Sequence, residues 1–207
     1  MNSQTEKRLI AGPAGAIECA LDAPAAGVVS RGLALICHPN PTQGGTMDNK
    51  VVQTLARAFV QLGYRAARFN FRGIGASQGG WDEGRGEIDD ALAVLAALRA
   101  ADEPLILAGF SFGGYVASQA ALRLAEGSQA QRLVLVGPAT SRFDTAPVPA
   151  DTVVIHGEAD DVVPLQSVLD WARPQALPVT VVPGVGHFFH GQLPLLKNIV
   201  LRSFAAV

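Results

Sequence analysis

From residue 33 onward, apolar residues fall into two kinds of stretch: short continuous runs, and longer segments with the periodicity of a helix. The short runs, such as LALIC at 33–37, do not alternate with polar residues, which is typical of strands buried on both faces of a parallel sheet. The longer segments repeat apolar residues at helical spacing, as Val51, Leu55 and Phe59 do. This alternation predicts repeated strand–helix units, with helices on both faces of a sheet.

The predicted strands lie at 33–39, 64–71, 104–110, 132–138, 152–157 and 178–184, and the predicted helices at 47–63, 86–100, 112–127, 164–176 and near 192–205. Residues 8–21 differ, because two short strand patterns flank the GPAG segment and predict an antiparallel hairpin that feeds the sheet edge. The predicted fold class is α/β: a doubly wound, mostly parallel sheet with an N-terminal antiparallel hairpin, in three layers. We expect residues 1–207 to form a single domain.

Composition and charge limit the classes of function. Charged residues make up only 16% of the 207 residues, which favours a compact fold over disorder. A net charge of −2 argues against general binding to nucleic acid, which needs a basic surface. No apolar run reaches the roughly 18 residues that a membrane span needs, and the start MNSQTEKRLI lacks the apolar segment of a secretion signal. We therefore expect a soluble, cytoplasmic protein with neither a nucleic-acid nor a membrane partner.

The pattern G-x-S-x-G, which marks the nucleophilic serine of many acyl-transfer enzymes, occurs twice, around Ser77 and around Ser111. The pattern requires a strand before the serine and a helix after it, so that a strained turn presents the hydroxyl. Ser111 has this context, because PLILA precedes its motif and YVASQAALRLAE follows it. Ser77 lies several residues after its strand and is followed by QGGWDEGRGE, which predicts a flexible loop. Ser111 is therefore the candidate nucleophile.

Two nucleotide-binding patterns are not matched. The segment RGIGASQGG has Gln78 where G-x-G-x-x-G requires its third glycine, and no helix opens directly after it. No G-x-x-x-x-G-K-[ST] sequence occurs. We predict no cofactor and no metal, and expect the partner to be a small-molecule acyl substrate.

A serine hydroxyl needs a base within hydrogen-bond reach and an acid that orients the base. His187 is the favoured base, because it comes first after a predicted strand and follows a glycine; His190 is the alternative. Asp160 is the favoured acid, on the loop between a strand and a helix, with Asp161 as the alternative. The order serine, aspartate, histidine is the order of the α/β-hydrolase fold.

The chain resembles the α/β-hydrolase superfamily over nearly its full length, and is most similar to small bacterial hydrolases without a cap, near the dienelactone-hydrolase-like and carboxylesterase-like members. The segments ICHPNPTQGGTMDNKVV, NFRGIGASQGGWDEGRGEIDD, GFSFGG, HGEADDVVP and GVGHFF carry the resemblance. The acid-loop pattern H-G-x-x-D-x-x-V-P supports Asp160, and the pattern R-G-x-G-x-S implies a non-catalytic Ser77. Dienelactone hydrolases proper have a cysteine nucleophile where this chain has Ser111, so their substrate is not carried over.

Acyl transfer also needs donors for the developing oxyanion. We expect the backbone N–H of Phe112 to be one donor, because it follows the candidate nucleophile. The second donor should come from the loop HPNPTQGG, where Pro39 and Pro41 have no N–H and Asn40 does. The resemblance also implies Asn40; the alternative is a turn asparagine whose side chain caps the loop. His38, at the strand end, is expected to brace this loop.

The segment 141–150, after the strand at 132–138, is too short to build a cap domain. We therefore expect an open site, edged by Phe110, Phe112, Phe188 and Trp81, of which Phe110, Phe188 and Trp81 are the predicted substrate-binding residues. An open pocket with aromatic edges suits short acyl or aryl esters better than long chains.

The sequence thus predicts a serine hydrolase that cleaves small carboxylic esters or thioesters through an acyl-enzyme intermediate. One alternative is a peptidase or amidase on the same triad, for which Asp82 and Glu83 are candidates to bind a substrate amine. Another is a catalytically silent scaffold that binds a ligand, since fold alone does not fix chemistry.

Overall fold

An eight-stranded sheet forms the centre of the computed structural model, which describes residues 5–205. The strands are β1 Glu6–Gly12, β2 Gly15–Asp22, β3 Leu33–Cys37, β4 Arg65–Phe69, β5 Leu105–Phe110, β6 Arg132–Val136, β7 Val153–Gly157 and β8 Val179–Val182. They lie in the order β1-β2-β4-β3-β5-β6-β7-β8. The pairs from β4 to β8 are parallel, whereas β1 pairs antiparallel with β2 and β2 with β4. The predicted sheet with its N-terminal hairpin is confirmed.

Five α-helices correspond to the predicted ones: α1 Lys50–Gln61, α2 Arg85–Leu98, α3 Phe112–Leu122, α4 Leu165–Ala172 and α5 Leu193–Ser203. The start of α1 is set by Asn49, whose side chain accepts a hydrogen bond from the Val51 N–H at 2.9 Å. The helix predicted at 112–127 ends earlier than expected, because most residues after Leu122 face solvent and give no apolar stripe to bury. Short 3₁₀ turns at Pro41–Gln43 and Arg173–Gln175 were not predicted.

Successive residues of the central strands enter two different hydrophobic cores. Along β3, Leu33, Leu35 and Cys37 pack in the core that α2 and α3 cover, whereas Ala34 and Ile36 pack in the core that α1 and α5 cover. Both faces of the strand are therefore buried, which explains why its sequence is apolar throughout. The sheet and the helices on its two faces make the three predicted layers.

Within residues 5–205, no cap covers the carboxyl edge of the sheet. Between β6 and β7, residues 137–152 form turns and bends without a helix or strand. This agrees with the prediction from the shortness of that segment. Among residues 5–205, no helix has the length and apolar character needed to cross a lipid bilayer.

A buried ion pair attaches the segment after β4 to α2. Arg72 donates to Asp90 through Nε at 2.9 Å and through Nη2 at 2.8 Å, and the Asp90 side chain is only 1% exposed. The guanidinium lies against Gly86, where any Cβ would overlap it. The pair therefore fixes the start of α2, which in turn packs on α3.

We predict that Asp90→Asn lowers the free energy of unfolding by about 3 kcal/mol, because it leaves the Arg72 charge buried without its partner. Asp89→Asn is the matched control, since the neighbouring Asp89 makes a solvent-exposed pair with Arg123 at 2.8 Å. That change should cost less than about 1 kcal/mol. Urea denaturation of both variants measures the difference, and equal losses would contradict a special role of the buried pair.

Candidate active site

Ser111 occupies a sharp turn between β5 and α3. Its φ of 55° lies in a region that non-glycine residues rarely adopt. Two glycines make the turn possible: a Cβ at Gly109 would collide with the Gly113 carbonyl, and a Cβ at Gly113 would collide with the Cys37 carbonyl. The backbone is bonded on both sides, since the Ser111 N–H donates to the Val136 carbonyl at 2.9 Å and the Ser111 carbonyl accepts the Ala139 N–H at 3.2 Å. The serine is thus held at the carboxyl edge of the sheet, in the context that the sequence predicted.

His187 and Asp160 are joined by a short hydrogen bond. His187 Nδ1 lies 2.7 Å from Asp160 Oδ2, and both side chains are buried. Because a carboxylate can only accept, Nδ1 carries the proton, and in the neutral ring Nε2 then keeps a free lone pair. The other carboxylate oxygen, Oδ1, accepts the backbone N–H of Val162 at 3.0 Å and that of Val163 at 2.8 Å. Sequence reasoning found the two ionisable residues but missed these backbone donors.

Opposing influences act on the pKa of Asp160. Burial is the largest and favours the neutral acid, but the hydrogen bonds from His187 and Val163, together with the charge interactions with His187 and His156, favour the carboxylate and outweigh it. The pKa of Asp160 therefore lies below its ordinary value. His156 Nε2 lies 3.5 Å from Asp160 Oδ2 and 2.9 Å from the Val163 carbonyl. Burial lowers the pKa of His156, so that it braces the acid loop as a neutral ring.

Two adjacent phenylalanines after His187 face opposite directions. Phe189 is buried and has a φ of 51°, whereas Phe188 is 43% exposed. The Phe189 N–H donates to the Gly186 carbonyl at 3.1 Å, which closes a tight turn around His187. Behind this turn the Phe110 ring packs 4.8 Å from the imidazole. Phe110 is fully buried, against the expectation that it edges the opening, because it is the last residue of β5 and points into the core.

Phe112 and Trp81, the other aromatic residues expected at the edge of the site, are not placed as Phe188 is. Phe112 is buried, and Trp81 packs on it with ring centroids 5.1 Å apart. Trp81 is 37% exposed but does not line the cavity that contains Ser111. Among the predicted substrate-binding residues, Phe188 alone lines that cavity. The sequence identified aromatic residues near the site but could not give the direction in which each ring points.

A cavity of about 140 Å³ brings the candidate residues together. Ser111, His187, Asn40 and Phe188 line it, with Asp160 behind His187. Within the described residues, no hydrogen bond joins the Ser111 hydroxyl to His187. The remaining lining residues, which the sequence did not single out, are Pro39, Gln43, Gly44, Gly45, Asn49 and Val162. Most of them belong to the loop HPNPTQGG, whose glycines and prolines were the available signal.

The peptide between Pro39 and Asn40 is held in one orientation by His38. His38 Nδ1 lies 2.7 Å from the Pro39 carbonyl oxygen, and His38 Nε2 accepts the Phe71 N–H at 3.0 Å. The second bond requires a lone pair on Nε2, so the proton is on Nδ1 and is donated to Pro39. Burial lowers the pKa of His38 to about 4, which keeps this neutral tautomer at physiological pH.

The side chain of Asn40 and its backbone N–H have different roles. Its Oδ1 accepts from the Thr42 N–H at 2.9 Å and from the Thr42 hydroxyl at 2.8 Å, which starts the 3₁₀ turn. The side chain therefore caps the loop, as the structural alternative predicted. In a planar trans peptide the N–H points away from the preceding C=O, so the Asn40 N–H is directed opposite to the Pro39 carbonyl. Within the described residues, this N–H donates no hydrogen bond.

Ser77, the other G-x-S-x-G serine, lies outside this cavity and is buried. Its hydroxyl donates to the Asn70 carbonyl at 2.7 Å and accepts the Glu18 N–H at 2.9 Å. It thereby joins the chain after β4 to the neighbouring strand β2. The prediction of a flexible loop residue was wrong for Ser77, because its hydroxyl satisfies two buried backbone groups.

Comparison with known proteins identifies the family of this chain. The sequence model of a family described as "Serine aminopeptidase, S33" matches residues 31–151. An uncharacterized protein of Rickettsia prowazekii (strain Madrid E) is 34% identical in an alignment of 174 residues, and the match covers 76% of this chain and 71% of that protein.

Two solved structures are similar over nearly the whole chain. One is an α/β serine hydrolase without a lid from Xanthomonas campestris, with a TM-score of 0.87 and 38% identity over 98% of this chain and 94% of that one. The other is an α/β serine hydrolase homologue from Coxiella burnetii, with a TM-score of 0.84 and 37% identity over 97% of each chain.

We predict that Ser77→Ala lowers the free energy of unfolding by about 2 kcal/mol, because it leaves buried backbone groups of Asn70 and Glu18 without partners. Ser141→Ala, at an exposed serine, is the control and should change stability by less than about 0.5 kcal/mol. Chemical denaturation measures both. A Ser77→Ala protein as stable as the control would contradict the structural role of this hydroxyl.

Proposed function

The chain belongs to the serine aminopeptidase S33 family of α/β serine hydrolases, and from that premise we propose that it hydrolyses small carboxylic esters or thioesters through an acyl-enzyme on Ser111. The observation that carries the proposal is the 2.7 Å hydrogen bond between Asp160 and His187, whose imidazole lines the same cavity as Ser111. A serine, a base with a free lone pair and an ionised acid behind it are the three groups that this chemistry needs.

In the proposed acylation step, the Ser111 oxygen attacks the substrate carbonyl carbon while His187 Nε2 takes the hydroxyl proton. The imidazolium that forms is stabilised by Asp160, which remains ionised. His187 then gives this proton to the leaving oxygen or sulfur as its bond to carbon breaks. A water molecule repeats the sequence with His187 as base, which releases the carboxylic acid and restores Ser111. The hydrogen bond between a catalytic hydroxyl and its base is often long before substrate binds and shortens in the complex.

The developing oxyanion is proposed to bind two backbone N–H groups, those of Phe112 and Asn40. Phe112 is the first residue of α3, so its N–H has no partner within the helix and lies at the positive end of the helix dipole. The contact of Gly113 with the Cys37 carbonyl brings this helix end against the end of β3, where the Asn40 loop begins. The two donors are thus supported by one backbone contact.

His38 is proposed to position the Asn40 donor, acting through the peptide rather than on the substrate. Its hydrogen bond to the Pro39 carbonyl fixes the side of the peptide on which the Asn40 N–H lies. Gly45 supports this arrangement, because a Cβ there would collide with the same carbonyl. An oxyanion donor is effective only when its orientation is fixed before the reaction.

The small cavity and the absence of a cap support short acyl groups. A cavity of about 140 Å³ holds roughly five groups of the size of a water molecule. The family description keeps an aminopeptidase as the second candidate. The acidic pair considered for binding a substrate amine gives it no support, since Arg85 bonds Asp82 and Glu83, each at 2.9 Å.

We predict that wild-type protein hydrolyses p-nitrophenyl acetate faster than the butyrate and the butyrate faster than the decanoate. Ser111→Ala should lower kcat by at least about 10⁴-fold, because it removes the nucleophile. Ser77→Ala is the matched control and should retain activity while folded. Full activity of Ser111→Ala would overturn the assignment. Failure of wild type to cleave any ester, thioester or amide, with no labelling by a fluorophosphonate, would favour the silent scaffold.

We predict that His38→Leu lowers kcat for p-nitrophenyl acetate by about 100-fold with little change in KM, because the Asn40 donor loses its fixed orientation. His38→Asn is the matched variant, since its amide N–H replaces the Nδ1 donor while the Nε2 acceptor is lost in both variants. Its kcat should stay within about tenfold of wild type. Equal losses in the two variants, or a loss confined to KM, would contradict the positioning role.

A further inference from the structure

A second, larger cavity adjoins the one that contains Ser111. Its volume is about 440 Å³, and it shares Val162, His187 and Phe188 with the smaller cavity. Ser111 and Asn40 line the smaller cavity only. His187 therefore lies at the boundary between the two spaces, with the proposed nucleophile on one side.

The chemistry of acyl transfer assigns different parts of a substrate to these two spaces. In the proposed reaction, the acyl carbon is bonded to the Ser111 oxygen and its oxyanion faces Asn40 and Phe112. The leaving atom must reach His187 Nε2, since it receives its proton there. The leaving group is therefore placed at the His187 end of the smaller cavity, where Val162 and Phe188 line the larger cavity as well.

Charge in the larger cavity is of one sign. Asp161 lines it, whereas no lysine or arginine of the described residues does, and no ion pair of Asp161 occurs within residues 5–205. Glu158 adds negative charge nearby, because its Oε2 accepts the N–H of Gly184, a residue of the cavity wall, at 2.9 Å. His190 also lines this space and is the remaining titratable group that faces it besides His187.

An aromatic ring borders the same space. Phe188 is 43% exposed, which is unusual for so large an apolar side chain beside a site. Its backbone is fixed, because Phe189 is buried as an anchor and the tight turn at Gly186 closes the loop. The Phe188 ring packs against the rings of His187 and His190, with centroids 5.0 and 5.7 Å away, and lines the same cavity as Asp161. An aromatic ring and a carboxylate without an ion pair that line one cavity are the combination that attracts organic cations, through the ring face and through charge.

We infer that the larger cavity is the leaving-group site and that Asp161 and Phe188 make it select a cationic, ammonium-bearing alcohol over a neutral one, and both over a phosphate-bearing one. This inference rests on the proposed function and adds a substrate class to it. The new claim is the cation site itself, and binding measurements test it separately from hydrolysis.

The first test compares two acetates with the same acyl group and the same shape, acetylcholine and 3,3-dimethylbutyl acetate, which differ in the charge of the leaving group. Wild-type protein should show a kcat/KM about fivefold higher for acetylcholine. Asp161→Asn should bring this ratio close to one, and Phe188→Leu should lower it by about threefold. Glu126→Gln, at an exposed acid elsewhere, changes the net charge equally and should leave the ratio unchanged.

The second test measures binding without turnover. In Ser111→Ala protein, choline should bind about fivefold more tightly than 3,3-dimethylbutan-1-ol, and Asp161→Asn should remove the difference. Equal binding of the two alcohols, or a preference that survives Asp161→Asn, would overturn the inference. Hydrolysis of both acetates at equal rates would overturn it while leaving the ester hydrolase in place. Asp161-dependent choline binding by a protein that hydrolyses no ester would support the cation site and overturn the proposed function.

Discussion

The site depends on one close approach of two backbone segments at the carboxyl edge of the sheet. Gly113, in the first turn of α3, lies against the Cys37 carbonyl at the end of β3, with no space for a Cβ between them. This contact lets the chain turn sharply after β5, so that Ser111 adopts a φ of 55°. It also places the start of α3 beside the loop that contains Asn40. A side chain at either glycine of the turn would move the serine and the proposed oxyanion donors apart, so the strain at Ser111 is sustained by the packing around it.

Most of the fold could be predicted from the sequence, because a strand that is buried on both faces is apolar at every position. Alternate residues of β3 enter different cores, and each of them is apolar, so the strand reads as one continuous run. The candidate serine could be chosen for a related reason: a buried strand precedes it and a helix follows it directly. Where the apolar pattern has no surface to bury against, prediction was poorer, as at the end of α3 beyond Leu122.

The sequence could not show in which direction a side chain points or with which groups it forms hydrogen bonds. Ser77 and Ser111 share a motif, yet the hydroxyl of Ser77 is bonded to two backbone groups of other segments, and only the pairing of β2 with β4 reveals this. Phe110 and Phe188 are both aromatic residues near the site, but one packs under His187 and the other faces solvent. The His38 hydrogen bonds were equally hidden, because their acceptor and donor come from Pro39 and from a strand distant in sequence.

The acid loop shows how two adjacent carboxylates acquire separate roles. Val162 and Val163 both direct their N–H groups to one oxygen of Asp160, and His187 donates to the other. The Asp160 charge is therefore matched locally by donors, and its field is largely directed at the imidazole. Asp161, one residue later, accepts none of these three hydrogen bonds and lines the larger cavity. A single turn of backbone thus gives one charge to the proposed catalytic base and leaves the next to line the cavity that we infer to hold the leaving group.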